Sequence, residues 1–136
     1  MPAGNRHLAR QIVIQTIFEW EFRENDPQKI LHYWLKEFVS KNLDSVFAET
    51  LFEIILDNLV EIKKQITCHA PKWPLEKISG LERACLYVGI AELLYFKKIP
   101  PKVIINEAVE ITKEFGGDAS FINAVLAAVW EERKRK

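Results

Sequence analysis

The chain has 136 residues, 49% of them hydrophobic, enough for one domain with a proper core and too few for two ordinary ones. Its 19 Lys and Arg are balanced by 19 Asp and Glu, so no chain-wide charge announces a nucleic-acid binder, and any such activity rests on local patches. Two cysteines without a short pairing spacing, no signal-peptide-like start, and no run of about 18–20 apolar residues lead us to expect a soluble, cytoplasmic protein.

Glycine is scarce, and no Asn-Gly or Asp-Gly pair separates alternating strands, which points to an all-α chain. A first helix is expected from about Asn5 to Phe22, with Ala9, Ile12, Val13, Ile17 and Trp20 on its apolar stripe. Arg10, Gln11, Gln15 and Glu19 fall off that stripe. Asn25-Asp26-Pro27 stops this helix and starts a second, with Asp26 as cap and Pro27 in the first turn, running to about Val39.

After a turn at Ser40 to Leu43, one long helix is expected from Val46 to Ile66, because Phe47, Leu51, Ile54, Ile55, Leu59, Ile62 and Ile66 recur at three- and four-residue steps. Ala70-Pro71-Lys72-Trp73-Pro74 then interrupts the chain and marks the expected seam between two halves of a single domain. Leu81 to Phe96 is apolar nearly all round, as the central helix of a bundle would be, and Gly89 within it suits a close helix approach.

Pro100 and Pro101 preset the start of another helix, which buries Ile104, Ile105, Ala108, Ile111, Thr112 and Phe115 and turns Lys102, Asn106, Glu110, Lys113 and Glu114 to water. Gly116-Gly117 supplies a left-handed C-cap. Asp118 or Ser120 caps a last helix that buries Phe121, Ile122, Val125, Leu126 and Val129 and ends in a charged tail, Glu131 to Lys136.

Chemistry is sparse in this pattern. His7, His32 and His69 are scattered, Cys68-His69 has no partner at metal-ligand spacing, and no phosphate-binding or nucleophile motif occurs, so neither a metal nor a cofactor is expected. Asn106-Glu107 invites an acid/base reading, but adjacent helical residues sit roughly 100° apart and converge poorly on one atom. The alternative is a solvated Glu107 beside an Asn106 bonded to a neighbouring element. Basic clusters lie at Arg6 with Arg10, at Lys97, Lys98 and Lys102, and at Arg133 to Lys136. Arg6 and Arg10, four apart on one face with no acid at helical spacing between them, favour an anionic partner.

The order RHLARQIVIQTIFEWEF at the start, LERACLYVGIAELLYFKKIPPKVIINEAVEITKEFG in the second half and SFINAVL near the end resembles the NusB family of transcription antitermination factors. The likeness spans nearly the whole chain and is strongest over Leu81 to Gly116, in Ala91-Glu92-Leu93-Leu94, Ile99-Pro100, Ile105-Asn106-Glu107-Ala108 and Phe115-Gly116. It implies about seven helices in two small packed bundles. It also implies a noncatalytic protein that binds the boxA element of nascent ribosomal RNA with the ribosomal protein NusE, within the RNA polymerase antitermination complex.

Carried over by position, the resemblance assigns RNA contacts to Arg6, Arg10, Arg83, Phe115, Asp118, Ser120 and Phe121, with Phe121 alternatively in the core, and a NusE contact to Glu82. Glu82 reads equally well as a first-turn acid favoured by the helix dipole. Tyr87 replaces a usual arginine, the loop between Ser120 and Phe121 is shorter than usual, and Ile122-Asn123-Ala124-Val125 replaces Val-Asn-Gly-Val. These departures imply weaker RNA binding and a reshaped corner. Two other readings stay open: a regulatory domain related to that of an RNA cytosine methyltransferase, and a structural homodimer, rather than a monomer, whose RNA surface is masked.

Overall fold

The computed structural model describes residues 4–23 and 25–135, so Lys136 of the basic tail lies outside it. Among the described residues seven α-helices follow one another: α1 (Arg6–Phe22), α2 (Pro27–Phe38), α3 (Ser45–Asp57), α4 (Leu59–His69), α5 (Gly80–Tyr95), α6 (Pro101–Glu114) and α7 (Ala119–Lys134). Short 3₁₀ turns occupy Val39–Lys41 and Leu75–Lys77. No helix among the described residues is long and apolar enough to cross a membrane.

Five of the helix starts are fixed by side chains that satisfy first-turn N–H groups, which no intrahelical carbonyl reaches. Asn5 accepts from the Leu8 N–H, Asp26 from Gln28, Asp44 from Phe47 and Ser79 from Glu82. At α7 the cap is Asp118, which accepts from the Phe121 N–H. Pro101 opens α6, and at its far end Gly116 takes φ +83°. The Gly116 and Gly117 N–H groups then donate to the Lys113 and Thr112 carbonyls, closing α6 with a Schellman turn.

The single helix expected from Val46 to Ile66 is two helices, broken at Asn58. Asn58 sits at φ −125°, outside helical backbone geometry, and its side-chain amide donates to the Ile54 carbonyl at 2.8 Å beside its own backbone N–H, so both groups close the end of α3. The chain turns there while the apolar stripe resumes with Ile62 and Ile66, both fully buried.

Helix α5 is the axis of the molecule, with every residue from Ala84 to Leu94 buried. Helices α1, α3, α4, α6 and α7 all pack against it, α1 with α3 and α7 with α4 and α6, while α2 covers α1. Segment 70–74, the expected seam, connects α4 to α5, which are themselves packed together. Gly89 faces Leu126 of α7 so closely that an added Cβ would lie 2.7 Å from a leucine methyl, which accounts for the close approach expected there. Six stripe positions differ from expectation: Trp20, Ile54, Leu59, Ile105 and Phe121 are only half-buried, and Phe115, just past the end of α6 at Glu114, is 38% exposed.

Candidate nucleic-acid interface

Arg6 and Arg10 share one face of α1 in sequence but meet opposite environments. Arg6 is held at the start of α1, where the Asn5 N–H donates to the Asn42 carbonyl and docks the chain beside the α3 cap. Its Nε donates to Asp44 Oδ2 at 3.3 Å, its guanidinium lies 4.6 Å from the Phe47 ring centroid, and its side chain remains 45% exposed. An accessible arginine already resting on an aromatic face is suited to a phosphate or base.

Arg10 is buried at 4% exposure. Its Nε and Nη2 donate to the two oxygens of Glu92 at 2.8 and 2.7 Å, and its Nη1 reaches Glu107 at 3.2 Å. No acid stands at helical spacing beside Arg10 on α1 itself; its countercharges come from α5 and α6. Burial pushes the Glu92 carboxyl above its ordinary range against the opposing pull of Arg10. Glu107 is likewise bonded rather than solvated, whereas Asn106 is exposed, which reverses the roles read for that pair.

His7 extends the same network, with Nδ1 2.9 Å from Glu107 and Nε2 2.8 Å from Glu114. Both carboxylates are served at once only by the doubly protonated ring. Burial lowers the imidazole pKa, but the hydrogen bonds and charges of Glu107 and Glu114 outweigh it and hold the group above its ordinary 6.5. A raised histidine pKa gives stability that is fully present below the unfolded value and lost as pH rises through the folded one. His7→Gln should therefore flatten the decline in melting temperature between about pH 6 and pH 8; an equal decline in both proteins would remove His7 as its source.

The other expected site residues gather at the α6–α7 corner. Glu82 Oε2 accepts from the Asp118 N–H at 2.7 Å, and its Oε1 accepts from the hydroxyl of Ser79, the cap of α5, so one carboxylate ties the start of α5 to the corner. Asp118 Oδ1 accepts from the Ser120 hydroxyl at 2.8 Å and the Phe121 N–H at 3.1 Å, and these bonds hold its carboxyl below the ordinary range. Phe121 is partly buried and meets Trp73 edge-on at 6.1 Å across a small pocket that also touches Lys77, Ile78, Glu82 and Asp118.

Arg83 lies behind this pocket, donating to both oxygens of Glu21 and to the Leu75 and Ile78 carbonyls. Phe115 stands apart, over a shallow groove formed by Leu8, Gln11, Ile12 and Gln15 of α1 with Trp34 and Phe38 of α2. The structure thus brings Glu82, Asp118, Ser120 and Phe121 together with Arg83 behind them. Arg6 is far from that corner: Glu21, the partner of Arg83, lies about 22 Å farther along α1 at 1.5 Å per residue. Trp73 and Glu92 have no site role assigned from sequence, although an aromatic between two prolines and an acid within the apolar body of a helix are signals the chain carries.

No group of His, Cys, Asp and Glu among the described residues is arranged to hold a metal ion. Buried ion pairing inside, with an accessible arginine and half-exposed aromatics outside, defines an all-helical domain with the surface chemistry of a binding module. The chain belongs to the NusB family, whose model matches residues 7–131. The transcription antitermination protein NusB of Nitratiruptor sp. is 36% identical over 96% of this chain and 95% of its own. That of Oceanobacillus iheyensis is 34% identical over 92% and 98%.

Among solved structures, T. maritima NusB superposes with a TM-score of 0.87 at 31% identity, covering 96% of this chain and 94% of that one. A crystal structure of antitermination factors NusB and NusE in complex with dsRNA matches with a TM-score of 0.84 at 25% identity, covering 93% and 96%.

Proposed function

We propose that this protein is a noncatalytic, cytoplasmic transcription antitermination factor that binds boxA-like single-stranded RNA of nascent ribosomal transcripts together with ribosomal protein NusE. The observation that carries the reading is the match, over nearly the whole chain, to a NusB bound to NusE and RNA. The local geometry supports it: Arg6 is accessible for phosphate, Phe115 for stacking, and the Asp118, Ser120 and Phe121 corner, backed by Arg83, offers hydrogen bonding beside an aromatic edge.

Glu82 belongs to the same reading as the point where a NusE contact would transmit to the RNA corner, because its carboxylate holds the Asp118 backbone. Arg10 enters as the residue that fixes α1 on α5 and α6, and so aims Arg6, rather than as a second phosphate contact.

Fluorescence anisotropy with a short boxA RNA, alone and with NusE, tests the function. Binding at low salt that tightens with NusE is expected, and no binding in either case overturns the reading. Because the related complex contains double-stranded RNA, a duplex of the same sequence belongs in the titration, and a preference for it would overturn the single-strand assignment. Arg6→Ala should lower the log–log salt slope by about 0.7, one single-strand phosphate contact; an unchanged slope would take Arg6 out of the site.

A further inference from the structure

Arg6 opens onto a cleft distant from the α6–α7 corner. The start of α1 and the first turns of α3 form one side of it, and residues 95–99, which link α5 to α6, form the other. Its volume is 540 Å³, within the range of about 300–1,000 Å³ typical of clefts that accept small ligands.

Two basic clusters that are far apart in sequence meet here. Arg6 comes from the first, and Lys97 and Lys98 come from the second; both lysines are exposed and form no ion pair among the described residues. Against these three cations the cleft sets one carboxylate, Asp44, whose oxygens already accept from the Phe47 N–H and from Arg6 Nε. Nε is the only atom of Arg6 bonded among the described residues, so its two terminal nitrogens remain for a ligand.

Part of the lining is aromatic, with Arg6 over the Phe47 ring. Phe47 forms the floor, Phe96 meets it edge-on at 5.5 Å, and Tyr95 is half-buried beside them. Cations beside aromatic rings suit a ligand that carries both negative charge and a flat apolar face. An acidic peptide would use the cations and leave the rings uncovered, whereas a nucleotide uses both.

We propose that this cleft binds an unpaired nucleotide of the RNA strand, with its base against the Phe96 and Tyr95 side and its flanking phosphates on Arg6, Lys97 and Lys98. The proposal rests on the RNA-binding reading above and extends the RNA path past Arg6 to the α5–α6 junction. Arg6 is then shared between two stretches of strand.

The test uses the full chain, a boxA RNA carrying thiouridine for photocrosslinking, and the double variant Lys97→Ala/Lys98→Ala. The variant is expected to melt like the unaltered protein, since both side chains are exposed and unpaired, while its log–log salt slope falls by about 1.4, two single-strand phosphate contacts. Crosslinked peptides from the unaltered protein should include residues 95–98. An unchanged slope with no crosslink in 95–98, while the unaltered protein still binds RNA, overturns the cleft and leaves the RNA-binding reading standing. A variant that keeps its salt slope but loses NusE assigns the cleft to a protein partner and also overturns the proposal. Failure of the unaltered protein to bind RNA overturns both.

Discussion

Arg10→Ala is expected to destabilise the folded protein by about 3–5 kcal/mol, the usual cost of removing one partner from a buried ion pair. The loss goes beyond a missing hydrogen bond. Glu92 is 1% exposed and accepts from two Arg10 nitrogens, so alanine leaves a carboxylate in the core with neither countercharge nor water. Glu107 loses a donor as well but keeps His7 and is 27% exposed, so it adds little. Arg10→Met should cost nearly as much, because packing volume does not answer the charge. Arg10→Met with Glu92→Leu should recover most of the loss, since apolar residues of similar size often replace a buried pair at little cost. Denaturant midpoints measure all three. A loss below about 1 kcal/mol for Arg10→Ala, the worth of an exposed pair, would show that this network is solvated in solution.

The residues that terminate helices were legible because their signals are local. Asp26-Pro27, Pro100-Pro101 and Gly116-Gly117 act on the backbone within one turn, and each ends or starts a helix where its chemistry requires. The nearly continuous apolar run of Leu81 to Phe96 marked α5 as central for a similar reason. Periodicity could not show the break at Asn58, because the apolar stripe continues on both sides and the two helices are distinguished by the backbone of Asn58, at φ −125°, with its amide bonded to Ile54.

The central ion-pair network was illegible by spacing, since Arg10 is 82 residues from Glu92 and 97 from Glu107. One indirect sign was present. A glutamate in the apolar body of α5, past its first turn, has to find a cation in the core, and the chain has few cations on its apolar faces. The resemblance had drawn attention to Glu92 and Glu107 as parts of family-like motifs, and the structure gives those motifs a physical role: they tie α5 and α6 to α1 through a single guanidinium. The same long-range assembly explains why Arg6 and the lysines after α5 looked like separate basic clusters, each explicable as solvated surface.

Phe115→Ala is expected to weaken RNA binding by about 1–3 kcal/mol, the range for losing one base stacked on an aromatic side chain, which is roughly a 5- to 150-fold rise in Kd. The position makes this effect separable from stability. Phe115 follows the last turn of α6 and is 38% exposed, so truncating it removes little buried area and should leave the melting temperature nearly unchanged. Its ring stands over a groove where Gln11 and Gln15 lie beside Trp34 and Phe38, so a base stacked on it would have amide groups within reach of its edge. Phe121 gives the opposite expectation. It is partly buried against the core and faces Trp73, so Phe121→Ala should lower the melting temperature, and its effect on RNA binding includes any loosening of the Asp118 corner. Titrating both variants with the same boxA RNA, alongside thermal melts, separates the roles. Unchanged affinity in Phe115→Ala would exclude that ring as a stacking platform, and a loss of affinity only in Phe121→Ala would place recognition at the α6–α7 corner alone.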